Sequence, residues 1–241
     1  MTIDNDNLLN SILESLDRIQ HINADDIPNI DLYMDQVTTF MDKRLRRTTR
    51  NPDDDKIMTK TMINNYAKNN LLPSPIKKKY SKEHILVLLF IYYFKGIMSI
   101  GDIETILKPI TNQFFGTKND FNLEEIYTDA FKFSGDQIDE IKKDIVYKYE
   151  KSEEMFSEAP KKSKDFLKKF AFICMLSYDV YVKKLLIEKI VDGLQDENMN
   201  REMTAKKNEA KKAEAAKKAE TVKKAEAAKK AEASKKAEAA K

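Results

Sequence analysis

The sequence predicts an all-α protein. Three observations carry that prediction. There are only five glycines and six prolines in 241 residues. Apolar residues recur at helical spacing along most of the chain, and the C-terminal stretch is made almost wholly of Ala, Lys and Glu, which are strong helix formers. Apolar residues make up 41% of the chain, enough for a core of ordinary size. From Ala205 onward the side chains are too small or too charged to join that core, so about 200 residues remain to fill it.

Each element follows from local pattern. Leu8, Leu9, Ile12, Leu13, Leu16 and Ile19 share a face, which predicts an amphipathic helix over residues 5–20. Ile27-Pro-Asn-Ile30 interrupts it, and a second helix is expected from about Asp31 to Leu45 with Leu32, Met34, Val37, Phe40 and Met41 mostly inward. Residues 46–55 carry Asn51-Pro52 and three aspartates and read as a solvated loop. Thr59 is the expected N-cap of a third helix whose apolar positions are Met62, Ile63 and Tyr66, and Asn69-Asn70 supplies the left-handed backbone that ends it.

Pro73 and Pro75 restrain 71–80 to an extended loop or small hairpin. Ser81 caps a helix over about Lys82–Ile97 that is apolar on nearly every side from Ile85 to Phe94, with Glu83 in its positive first turn and Gly96 marking its end. Ser99-Ile-Gly-Asp102 has capping-box spacing and opens a short helix to Leu107, closed by Pro109. Beyond Thr111 the pattern stays helical. Leu123, Ile126, Tyr127, Ala130 and Phe131 share one face, Ile138, Ile141 and Ile145 another, and a long helix from about Lys162 to Leu194 carries Phe166, Phe170, Ile173, Tyr181 and Leu185 at helical spacing. From Lys211 a six-residue Lys-Lys-Ala-Glu-Ala-Ala repeat predicts a single exposed helix without a coiled-coil seam, roughly 46 Å long if fully formed.

Charge is unevenly placed. The segment Ala205–Lys241 holds 13 lysines and 6 glutamates, or +7, so the net +3 leaves the body at 3 − 7 = −4. Within that acidic body, Lys56 to Ile110 carries 9 lysines against Glu83, Asp102 and Glu104, or +6. A local basic cluster is better evidence for a nucleic-acid partner than an overall pI.

That cluster coincides with the chain's most informative order: a short polar helix ending at Tyr66, the basic hairpin with Lys77-Lys-Lys-Tyr80, then the apolar helix. This order predicts a winged helix-turn-helix, with an exposed recognition helix, a positive wing and a buried support. Thr61-Met-Ile-Asn-Asn-Tyr66, Leu71-Leu-Pro73, Lys79-Tyr80-Ser81 and Ser99-Ile-Gly-Asp-Ile103 resemble the winged helix of the mercury-resistance-regulator (MerR) family. More closely, Ile30–Phe40 together with Thr59–Tyr80 resembles a bacterial family catalogued only as domain of unknown function 1836, over roughly Pro28 to Tyr149.

The MerR resemblance implies that Asn64 and Asn65 occupy phosphate- or base-contacting positions, that Tyr66 packs near the DNA backbone, and that Lys77, Lys78, Lys79 and Tyr80 form the wing. Two departures stand out. Ala67 replaces the usual Glu, and the usual wing glycine is missing, which implies a wing of different shape. The expected DNA-binding set is Lys60, Thr61, Asn64, Asn65, Tyr66, Lys68, Lys77, Lys78, Lys79 and Tyr80. Lysines neutralise phosphates and release counterions, whereas an Asn amide offers donor and acceptor together to an adenine edge. The blander readings are amides facing water, a solvated lysine loop, and tyrosines packed in the core.

Other chemistries find little support. With His21 and His84 far apart in sequence and one cysteine, no metal-ligand spacing occurs, and there is no Gly-rich phosphate loop or nucleophile elbow. Neither catalysis nor a cofactor is therefore expected. Cys174 reads as a free core thiol in a reducing cytoplasm. No signal peptide or membrane span is apparent.

The expected organisation is an N-terminal amphipathic helix (1–27), a winged helix-turn-helix domain (28–110), a helical C-terminal domain (111–199) and the Lys/Ala/Glu tail (200–241). The expected function is transcription regulation on double-stranded DNA as a homodimer, with an effector left open. The alternative is a protein–protein interaction module on the same scaffold, docking a partner through Phe166–Leu194.

Overall fold

A computed structural model describes residues 7–17, 19, 21–117, 121–197 and 199. The chain divides into two compact units, Met1–Val191 and Asp192–Lys241. Of the second, residues 192–197 and 199 are described and helical, while the Lys/Ala/Glu repeat lies outside the described residues.

Among the described residues, the first unit is mostly helical, with two strands of two residues each. In order it comprises α1 (Leu8–Leu16), β1 (Leu32–Tyr33), α2 (Met34–Leu45), α3 (Lys60–Lys68), β2 (Lys79–Tyr80), α4 (Lys82–Phe94), α5 (Ile100–Phe114), α6 (Leu123–Phe131) and α7 (Ser134–Glu154), with short 3-10 turns at Ala24–Asp26 and Arg46–Thr48. Residues 161–191 form a further helix, α8. No helix among the described residues is long and apolar enough to cross a membrane.

The centre of the core is α4. Every residue from His84 to Ile91 is buried, because the apolar run leaves no polar face for water. Val37, Met41 and Leu45 of α2, Ile63 of α3, Ile103 and Leu107 of α5, and Leu123 and Tyr127 of α6 pack around it in one cluster. That core therefore continues past residue 110. The N-terminal end joins it too: the Tyr127 hydroxyl donates to the Ile22 carbonyl at 2.6 Å.

The α7–α8 pair forms a smaller layer. Tyr149 meets Phe172 edge to face at 5.6 Å, Lys168 pairs with Glu153 at 2.7 Å, and Lys148 bridges Asp144 and Asp179. The α1 helix rests on α7, with Lys142 paired to Asp17.

Three expectations are corrected. The helix opened by Ser99 does not stop at Leu107 but runs through Pro109 to Phe114. Pro109 is exposed, so its ring sits where water reaches the backbone that loses a bond, which softens the cost of an interior proline. The α4 helix ends at Phe94 rather than near Ile97, where the Ile97 and Met98 N–H groups both turn back onto the Phe94 carbonyl at 2.9 Å. Cys174 is exposed and not a core residue. The α8 helix packs inward through Ala171 and Phe172, which turns its neighbours Ile173 and Cys174 outward.

The connection from α2 to α3 spans 14 residues, far longer than the three or four of a helix-turn-helix turn. Arg46 holds it in shape. Its guanidinium is paired with Asp42 and also donates to the Pro52 carbonyl, while Asp55 accepts from the Asn51 N–H at 2.8 Å. The hydrogen bond from Arg46 keeps the Asp42 carboxyl below its ordinary range.

Candidate nucleic-acid interface

The polar face of α3 is built by spacing. Thr59 caps the helix by accepting the Met62 N–H at 3.1 Å, while Ile63 and Tyr66 turn inward. Lys60, Thr61, Asn64, Asn65 and Lys68 are all exposed. Positions 60, 64 and 68 stack one turn apart and 61 and 65 lie beside them, so the five share one side of the helix. Asn70 takes φ +58°, and the Leu71 N–H closes onto the Tyr66 carbonyl at 2.9 Å. Leu71 and Leu72 then bury and anchor the approach to the hairpin.

The two tyrosines are placed differently from the expectation. Tyr66 is 9% and Tyr80 3% exposed, and both belong to the core cluster. Burial pushes both phenols up, which keeps them neutral. They support the face from beneath.

The hairpin is tight. Ile76 and Lys79 exchange backbone hydrogen bonds of 3.1 and 2.9 Å across Lys77 and Lys78, whose φ values are +49° and +63°. This is the geometry of a two-residue type I′ turn, for which Asn-Gly is the favoured sequence. Two L-residues with long side chains are held instead in left-handed backbone that disfavours them by about 1–2 kcal/mol each. The hairpin tip thus carries lysines in the conformation glycine would take. Both lysine side chains project into solvent, and neither these nor Lys68 has a carboxylate partner among the described residues.

A chain of contacts places hairpin and helix side by side. The strands β1 and β2 pair antiparallel, with Leu32 opposite Tyr80 and Tyr33 opposite Lys79. The half-buried Lys79 carries its ammonium 5.3 Å from the centroid of the exposed Tyr33 ring. Two residues on, Asp35 in the first turn of α2 pairs with Lys60 at the start of α3. The N-termini of α2 and α3 and the hairpin therefore border one another. Asp35 also neutralises Lys60, which leaves Lys68, Lys77, Lys78 and Lys79 of the expected set without a carboxylate partner among the described residues.

Sequence reasoning missed Tyr33 and Asp35. The signal was an aromatic and an acid two positions apart at a helix start, but their partners are 25 or more residues away.

His84 fixes the hairpin's exit. The Ser81 N–H approaches its Nδ1 at 2.9 Å and the Ser81 hydroxyl at 2.8 Å. The ring sits edge-on between Tyr80 and Phe115, with centroids 5.4 and 4.7 Å away. It lies close to the Pro73 and Ser74 carbonyls, yet Nε2 is buried without a hydrogen bond. Burial pushes the imidazole below its ordinary range.

Comparison with known proteins finds a family-model match to part of the chain. Residues 22–131 match the family described as Domain of unknown function (DUF1836). The matched segment starts at the residue whose carbonyl Tyr127 binds and ends with α6, short of the Tyr149 limit expected from sequence. No curated protein and no solved structure shows a significant match to the chain.

Proposed function

We propose that this protein is a DNA-binding transcription regulator whose α3 helix enters the major groove of a duplex while the 76–79 hairpin lies on the phosphates. The observation that carries this reading is the hairpin tip. Two lysines occupy left-handed positions where Asn-Gly would fold better, and backbone held in a disfavoured conformation points to a role outside folding. Asn64 and Asn65 supply the amides for base edges, and Thr61 and Lys68 flank them on the same exposed side. Tyr33 joins the site as the ring beneath Lys79, whereas Tyr66 and Tyr80 act from the core.

In this reading the protein works in the reducing cytoplasm as a homodimer, since such readers pair two half-sites. The dimer face is the outer side of α8, where Phe166, Phe170, Ile173, Tyr178, Val180 and Tyr181 are each more than half exposed. The four aromatics alone leave on the order of 400–500 Å² uncovered, a large share of the ~800 Å² that each partner contributes to a standard interface.

Duplex binding at several salt concentrations is the test. Changing Lys77 and Lys78 together to Ala should flatten the log–log salt slope by about 2, near 0.9 per lost phosphate contact. Changing Asn64 and Asn65 to Ala should erase discrimination between sequences and leave the salt slope in place. Wild-type protein that binds no duplex at low salt removes this reading. The exposed α8 face favours a second one, an interaction module that docks a partner protein through that helix.

A further inference from the structure

A cleft of about 1000 Å³ opens in the first unit, bounded by Ile19, His21 and Asn23, the 45–57 connection, the end of α4, the end of α6 and the start of α7. We infer that it binds a small planar anion, an aromatic carboxylate or a similarly flat molecule with one acidic group.

Aromatic side chains supply the walls. Tyr92 and Tyr93 stand at 72° to each other with centroids 5.8 Å apart. Phe131 lies 5.3 Å from Tyr93 and stacks on His21 at 5.5 Å. Several of these groups are already held in place. The Tyr92 hydroxyl meets Thr48 Oγ1 at 3.1 Å, and His21 Nδ1 meets Ser134 Oγ at 2.7 Å. Rings fixed at their edges offer flat apolar faces with little ordering left to do.

The charge lining the cleft is positive. Lys56, Lys95 and Lys132 face one carboxylate, Asp55, and Asp55 already accepts from the Asn51 N–H. Lys95 is the central group. Its ammonium donates to the Ile57 carbonyl at 2.8 Å and lies 4.9 Å from the Tyr92 ring centroid, and it has no carboxylate partner among the described residues. Burial pushes it below the ordinary lysine range. An ammonium has three N–H donors, so two remain for a ligand. A half-buried cation against an aromatic wall, with no protein anion to balance it, matches a ligand that brings a ring and a negative group together.

The test uses two fluorescent probes of nearly the same shape, 8-anilinonaphthalene-1-sulfonate and its neutral parent N-phenyl-1-naphthylamine, titrated into the full chain. The anionic probe should bind the wild type more tightly. Lys95→Met, which keeps the apolar stem, should weaken the anion about tenfold and leave the neutral probe within about twofold. Gly135 lines the cleft, and a Cβ there meets nothing within 4 Å. Gly135→Leu should therefore fill the space without harming the fold and abolish binding of both probes, with circular dichroism confirming the helix content. Benzoate should displace the anionic probe from the wild type. Equal affinity for the two probes, an anion affinity unchanged in Lys95→Met, or binding that survives Gly135→Leu would each overturn the assignment. Binding of both probes that is unchanged in both variants would place them on the exposed α8 face instead.

Discussion

The Tyr127 hydroxyl donates to the Ile22 carbonyl at 2.6 Å across 105 residues of sequence. Tyr93 sits beside the same bond and accepts the Ile22 N–H at 3.3 Å. Both backbone groups of one residue are thus satisfied by phenols from α4 and α6, and the start of the matched segment is tied to its last helix. Removing the shorter bond strands a buried carbonyl. Tyr127→Phe should cost about 1–3 kcal/mol in urea unfolding with no loss of helix content. A variant as stable as the parent would mean that water reaches Ile22 and that this closure is dispensable.

The parts of this fold that were legible in the sequence are those decided within one turn of chain. Thr59 accepts the N–H three residues on, Asn70 takes the left-handed backbone, and Ser99 exchanges bonds with Asp102, all from residue types that do so locally. The α4 run is legible for another reason: eight consecutive buried residues leave a helix no solvated side. Long-range partners are not written this way. Whether Tyr66 faces DNA or the core depends on which side of α3 meets α4, and periodicity cannot separate a phenol that contacts a ligand from one that packs. The same holds for Cys174, whose apolar neighbourhood in sequence is an exposed face in space, and for Lys60, whose charge is cancelled by Asp35 on another helix. At Pro109 a local rule gave way because the exposed side of α5 tolerates the lost bond.

His84 makes stability depend on pH. Its buried ring has a pKa below the ordinary value, so the unfolded chain binds a proton more readily than the folded one. Stability is therefore full above the unfolded value of about 6.5 and declines as pH falls through it toward the folded pKa. His84→Gln keeps a side chain able to accept the Ser81 N–H, because Ser-x-x-Gln is also a capping box, and it removes the titration. The variant's thermal midpoint should be lower at neutral pH, for want of the Tyr80 and Phe115 contacts, but should vary less between pH 7.5 and 5.5 than that of the parent. Parallel pH profiles would show that His84 does not set this dependence.

The hairpin tip separates folding from function in a single variant. Lys77→Asn with Lys78→Gly installs the sequence that a type I′ turn favours and removes two side chains from left-handed backbone. Stability should rise by about 1 kcal/mol or more, read from urea midpoints at unchanged slope. Duplex affinity should fall on the order of tenfold at moderate salt as two phosphate contacts disappear. Gain of stability without loss of binding would remove the tip from the proposed interface, and loss of both would mean that the lysines support the fold rather than a ligand.

The outer face of α8 gives the clearest test of assembly. Phe170 and Ile173 lie three positions apart on it, 51% and 58% exposed, and no ion pair crosses them among the described residues. In an isologous dimer each would meet its symmetry-related neighbourhood, so one charge added per chain counts twice. Phe170→Glu with Ile173→Glu should leave the monomer's fold intact, because both side chains already face solvent and Ala171 and Phe172 hold the inward side. Light scattering should then read the wild type as a dimer and the variant as a monomer. Operator-length duplexes should bind the variant with lost cooperativity, while single half-sites bind both proteins alike. A wild type that scatters as a monomer at micromolar concentration would assign the face to a different partner protein, which is the outcome the interaction-module reading requires.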